Sequence, residues 1–334
     1  MTAASAFCFM GQAGGASRMV QGRRVVDTHH HLWSPGFVAS KGDLVRSMTK
    51  DLPSLAWRPE SSIALMDEAG VSRTILSHAA PGVWFGDVKE GRYLSREVNE
   101  FAAASVEKFP SRLGFFASIP LPDTEGSLAE IAYALDVLGA DGIVLMTSYG
   151  EKYLSDERFI PVLEELNRRK AVVYVHPCKH PCCNNLIPEL PDPFLEFVFD
   201  TTRTIASLLF TGSLYRTRDI RWLFSHGGGT LPMVAGRISG YATLNRKFDV
   251  VMPDGPMAEL RRLYFDTANV THPESLAGLR KFAAADHILF GSDAPMIPIA
   301  VQLERLRTAG LAEVELQAIE HGNADLMMPL RPAR

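Results

Sequence analysis

The stretch Asp27-Thr28-His29-His30-His31-Leu32-Trp33 follows the basic-apolar run Arg23-Arg24-Val25-Val26. Val25 and Val26 are β-branched, so the run reads as a strand carrying the histidines at its C-terminal end. Side chains alternate along a strand, which sets His29 and His31 on one face and His30 on the other. Two imidazoles one strand repeat apart can both reach a single metal ion. A solvated turn or an expression tag also holds consecutive histidines. A tag would be terminal and longer, and would not sit between a valine pair and Leu32-Trp33.

Working outward, residues 34–59 have scattered Gly and Pro and no clear period, which reads as a loop. Beyond it, apolar runs alternate with helical patterns. The strands expected are 73–78, 112–120, 141–147, 172–176, 221–226, 263–268 and 287–293. The helices between them are 60–69 (stopped by Gly70), 95–108 (capped by Ser95), 127–138 (opened by Ser127, stopped by Gly139), 158–169, 194–209, 231–244 and 275–282, with further helical segments from Ile299. Eight buried-type strands alternating with helices and no linker predict the α/β class and a single (β/α)8 TIM barrel over residues 23–334. Periodicity alone also fits an open, doubly wound sheet.

Composition narrows the function. The 334 residues are 46% apolar and 22% charged, ordinary globular material. A net charge of −4 gives no electrostatic case for nucleic acid or an anionic membrane. No apolar run reaches the roughly 20 residues that span a bilayer. Four cysteines are too few for a disulfide framework at this size, which points to a reducing, cytoplasmic setting. Residues 1–22 lack positive charge ahead of their apolar patch, so they read as a disordered tail or a misplaced start rather than a secretory signal.

The barrel makes a demand: catalytic groups belong at strand C-termini. His29, His31, His176, His226 and Asp293 all fall at such ends. Neutral imidazoles with one carboxylate suit a divalent metal, Zn²⁺ best, with Mn²⁺ as the alternative. Gly227-Gly228-Gly229 after His226 would let a ligand approach the backbone. The run His176-Pro177-Cys178-Lys179-His180-Pro181-Cys182-Cys183 imitates a zinc knuckle, but no second cysteine pair follows it. Its cysteines are expected to pack in the loop over the barrel mouth.

With these motifs in view, the chain resembles the amidohydrolase superfamily, in the branch that holds aminocarboxymuconate-semialdehyde decarboxylase and the aromatic-acid decarboxylases. The resemblance runs from about Val25 to Ala324, through His29-x-His31, Val175-His176-Pro177, Asp200-Thr201-Thr202-Arg203, Ser225-His226-Gly227, Gly236-Arg237-Ile238, Gly291-Ser292-Asp293 and Gly322-Asn323-Ala324. Its middle is most similar to the 6-methylsalicylate decarboxylases. The resemblance implies that His29, His31, His176 and Asp293 hold one ion, with His226 beside it as an acid/base group. It also implies a homodimer in which Arg237 crosses the interface to hold the substrate carboxylate. Strand four ends without the Lys or Glu that bridges two metals in many relatives, which favours one ion. Neither Arg46 nor Arg58 can be matched to the family's other substrate-binding arginine.

The implied activity is nonoxidative, metal-dependent decarboxylation of a small salicylate-type acid, with Asp293 and His226 handling the proton. The alternatives are a muconate-semialdehyde-type decarboxylase, a hydrolase or lactonase of the same fold, and a non-catalytic metal-binding scaffold.

Overall fold

The structure is a computed structural model that describes residues 23–48, 56–78 and 80–330. The expected tail, 1–22, lies outside the described residues. Eight parallel strands form one sheet in sequence order: β1 (Val26–Leu32), β2 (Arg73–His78), β3 (Leu113–Ser118), β4 (Gly142–Met146), β5 (Val172–His176), β6 (Arg221–Phe224), β7 (Tyr264–Asp266) and β8 (Ile288–Leu289). A doubly wound sheet would reverse strand order partway. Here the order runs straight round, and the segment after β8 returns to β1. Thr28 N–H donates to the Phe290 carbonyl at 2.9 Å, His31 N–H to that of Ala294 at 2.7 Å, and Asp293 N–H to that of His29 at 2.9 Å. The sheet is therefore a TIM barrel.

The longer helices are α1 (Pro35–Met48), α2 (Pro59–Ala69), α3 (Val88–Lys108), α4 (Thr124–Ala132), α5 (Ile160–Arg168), α6 (Glu196–Phe210), α7 (Leu231–Leu244), α8 (Pro273–Phe282) and α9 (Ile299–Thr308). Among the described residues no helix is long and apolar enough to cross a membrane.

Several boundaries differ from the sequence expectation. Helix α1 occupies ground read as loop. Tertiary contacts hold it: Glu97 accepts from Gly36 N–H at 2.9 Å and from the Ser34 hydroxyl, while Phe37 is fully buried against His78. Helix α3 starts well before Ser95, because the Asp87 carboxylate accepts from Glu90 N–H at 2.8 Å and caps it there. Asp123 caps α4 in the same way, so Ser127 lies inside the helix, which continues through a π-turn to Leu138. The histidines of the first strand are part of β1 itself, and a register shift between Asp27 and His30 bends it. The last three strands are shorter than expected, leaving His226 and Asp293 on turns just beyond β6 and β8.

Cys178 is buried beside Thr147 and Ser148. Cys182 and Cys183 are joined to each other, and Cys182 is exposed rather than packed in the loop as expected. A bond between neighbours closes no long loop, so it is no disulfide framework.

Candidate metal centre and active site

His29 and His31 face the same side of β1, and His30 faces away, where its ring reaches Asp27 and the Ser62 hydroxyl on α2. His29 Nε2 and His31 Nε2 lie 3.1 Å apart, and Asp293 Oδ1 is 3.3 and 3.1 Å from them. His176, at the end of β5, has its ring centroid 4.9 Å from that of His31 and 5.3 Å from that of His29. Ligand atoms of His29, His176, His226 and Asp293 all lie within 4.8 Å of one another. The structure thus brings all five residues together. Arg237 is exposed on α7 and shares no hydrogen bond or ion pair with them.

Hydrogen bonds on the far side of each ring fix which nitrogen points inward. His29 Nδ1–H donates to Asp266 Oδ2 at 2.8 Å, His176 Nδ1–H to the Pro177 carbonyl at 2.8 Å, and His31 Nδ1–H faces the Ser77 carbonyl at 3.4 Å. Each therefore presents its Nε2 lone pair to the centre, the outer-partner arrangement of metal-ligating histidines. His226 is different. Its Nε2 lies 3.4 Å from Asp293 Oδ2, and its buried Nδ1 has no acceptor.

The electrostatics agree. Burial drives His31 down and His176 well below the usual imidazole range, so both stay neutral as ligands must. Burial opposes ionisation of Asp293, yet His29 and bonds from His226, His29 and His31 hold its carboxyl well below the usual range. His29 is the exception: burial opposes its charge, but Asp266 and Asp293 outweigh it and hold the imidazole up to about 10, so without an ion its Nε2 carries a proton that a cation would replace. The centre calls for positive charge among converging lone pairs. A divalent cation fits that donor set.

Backbone strain marks the same place. His226, Asn269 and Asp293 are non-glycine residues with φ of 52°, 59° and 66°. Such conformations cluster at functional sites. The glycines after His226 serve the backbone path rather than leaving room for a ligand, which corrects the sequence expectation. At φ of 75° a Cβ on Gly228 would press on Phe265, and one on Gly229 would strike the Val198 carbonyl.

Sequence reasoning missed Asp266. Its Oδ2 also accepts from the Tyr174 hydroxyl at 3.1 Å, and its Oδ1 accepts the His226 and Ala268 N–H groups at 2.9 and 3.0 Å. It ends β7, so the strand-end rule that picked out the histidines would have found it. Strand β4 runs into Thr147, whose hydroxyl donates to Asp200, and offers no bridging Lys or Glu.

Residues 26–327 match the family described as amidohydrolase. A decarboxylase of Aspergillus niger is 39% identical over 290 residues, 82% of this chain and 78% of that protein. A 6-methylsalicylic acid decarboxylase of Aspergillus aculeatus is 39% identical over 289 residues, 82% of this chain and 84% of that protein. A solved 5-carboxyvanillate decarboxylase of Novosphingobium aromaticivorans, complexed with manganese, aligns with a TM-score of 0.85 at 19% identity, over 93% of this chain and 97% of that one. That last likeness is one of fold.

Proposed function

The chain belongs to the amidohydrolase family, and from that premise we propose that it is a metal-dependent, nonoxidative decarboxylase of small aromatic acids of the salicylate type, 6-methylsalicylate being the leading substrate. The observation that carries this is the convergence of His29 and His31 Nε2 on Asp293 Oδ1, with the His176 ring beside them and His226 against that carboxylate's other oxygen. In this reading residues 23–334 act as one barrel unit.

His29, His31, His176 and Asp293 hold one ion. Zinc suits the three imidazoles, and manganese is the alternative its structural relative carries. When bound, the ion supplies Lewis-acid charge for the oxygens of the acid's carboxylate and ortho-hydroxyl. The chain's own groups handle the proton. A free aryl carbanion is too basic to leave unprotonated, so a proton must reach the ring carbon that bears the carboxylate. The Asp293–His226 pair is placed to deliver it. As that C–H bond forms, the pair of electrons in the bond to the carboxylate returns to the ring and CO₂ departs.

Arg237 reaches the site of a second copy. On α7, Met233, Arg237, Tyr241 and Leu244 fall on one face at helical spacing, and Met233 and Leu244 are 83% and 84% exposed. An apolar stripe around a cation suits a self-complementary interface that delivers a guanidinium to a carboxylate.

The test is a substrate series. Salicylate and 6-methylsalicylate should release CO₂, while 3- and 4-hydroxybenzoate, which lack the ortho-hydroxyl, should not. Turnover confined to muconate-type acids would favour the semialdehyde branch, and lactone opening without CO₂ would favour a hydrolase.

A further inference from the structure

Asp293 has two oxygens with two different sets of neighbours. Oδ1 faces His29 and His31 on the ion side. Oδ2 faces His226 at 3.4 Å and receives Asn269 Nδ2–H at 2.7 Å. Behind Asn269 the chain of bonds continues. Gln302 Nε2–H donates to Asn269 Oδ1 at 3.0 Å, and the Thr271 hydroxyl donates to Gln302 Oε1 at 2.6 Å. Gln302, on α9, and Thr271 are fully buried.

The polarity of this chain is forced from its site end. A carboxylate can only accept, so Asn269 must present its NH₂ to Asp293. Its carbonyl oxygen then faces Gln302, which must present NH₂ in turn. Gln302's oxygen faces Thr271, which must donate. Every link is satisfied in one direction only, so the Asn269 amide cannot rotate without leaving a buried polar group unpaired. Its φ of 59° is one that asparagine tolerates better than most residues, and its side chain lies at the exposed rim of the site.

We propose that Asn269, locked by Gln302 and Thr271, is a positioning residue that divides the Asp293 carboxylate, leaving Oδ1 for the ion and aiming the remaining lone pair of Oδ2 at His226. The proposal rests on the decarboxylase reading for its catalytic consequence and on geometry alone for its effect on the carboxylate. With Asn269 in place, Oδ2 has one lone pair occupied and one free, so His226 Nε2 meets a single, fixed acceptor direction on that oxygen. Without it, Asp293 is free to turn and offer both oxygens to the ion.

The test uses Mn²⁺-loaded full-length protein and two variants, Asn269→Gly and Gln302→Leu. Glycine accepts the left-handed backbone, so Asn269→Gly removes the amide without strain. It should keep about one ion per chain and a KM near that of the wild type. Its kcat should fall roughly ten- to a hundredfold, the scale for losing an outer partner of a metal ligand. Its Mn²⁺ paramagnetic resonance spectrum should change as the carboxylate turns. Gln302→Leu should shift the spectrum in the same direction if it folds. An unchanged spectrum with unchanged kcat overturns the proposal. So does a change in KM alone, which would make Asn269 a substrate contact, or loss of the ion, which would make it a support for binding only. If wild-type protein releases no CO₂ from any aromatic acid, the decarboxylase reading fails, and the Asn269→Gly spectrum still decides this one.

Discussion

Asp266 accepts the Nδ1 hydrogen of His29 at 2.8 Å with one oxygen, and with the other it takes the backbone N–H of His226 at 2.9 Å. One carboxylate at the end of β7 thus sets the ring of His29 and the backbone of its neighbour His226. Asp266→Asn keeps the size but replaces one acceptor by a donor, against His29 or against His226. Divalent-ion affinity should weaken roughly 10- to 100-fold, the usual loss for an outer partner of a metal ligand. A competition titration with a chromophoric chelator measures it, and unchanged affinity would remove Asp266 from the account.

His226 and His176 both touch the centre, yet only His176 has its Nδ1 tied to a carbonyl. His176→Asn should therefore lose the ion. His226→Asn should keep near-full occupancy while kcat falls roughly 10²-fold or more, the scale for a positioned proton-transfer group. Metal content by elemental analysis, paired with kcat, separates the two roles. Equal metal loss in both variants would make His226 a ligand.

Arg237 should act across the interface. Arg237→Ala should raise KM sharply, because a carboxylate loses a charge-assisted partner. Mixing it with His226→Asn should restore part of the activity, since one mixed site then has both groups intact. No recovery in fully exchanged heterodimers would place Arg237 outside the partner's site.

His78 predicts a pH dependence of stability. It is buried against Phe37, and burial pushes its imidazole down to about 4 from 6.5. Between those values the unfolded chain binds a proton that the folded chain refuses. The contribution is therefore complete above about pH 6.5 and is lost as pH falls toward 4, by up to about 3 kcal/mol. His78→Phe keeps a ring beside Phe37 and cannot titrate. Denaturant unfolding of chelated protein should show the variant gaining on the wild type between pH 7.5 and pH 4.5. Parallel curves across that range would contradict the assignment.

Much of the site was legible because its residue types are chemically unusual where they stand. His29 and His31 flag themselves on a strand, and His176 follows a run of valines and tyrosine at a strand end. The barrel followed from eight alternations, though its closure rests on backbone bonds between β1 and the turn after β8 that no periodicity reports. Asn269 and Gln302 were invisible for a physical reason. Each is an ordinary polar residue whose meaning lies in a bond spanning 33 positions. Helix α1 was missed because Glu97, far along the chain, anchors its start. The glycines after His226 were read as space, whereas a Cβ on Gly228 would meet Phe265 of β7 and one on Gly229 the Val198 carbonyl of α6.

The central claim is that a held ion and the Asp293–His226 pair replace a carboxylate by a proton on an aromatic ring. The most direct measurement is turnover of 6-methylsalicylate in D₂O by metal-loaded and chelated protein, followed by mass spectrometry and CO₂ detection. The account predicts one CO₂ per molecule consumed, without any oxidant, and one deuterium on the vacated ring carbon. Activity should vanish on chelation and return with zinc or manganese. CO₂ release that survives complete metal removal, or a product that gains water and keeps its carboxylate, would contradict it.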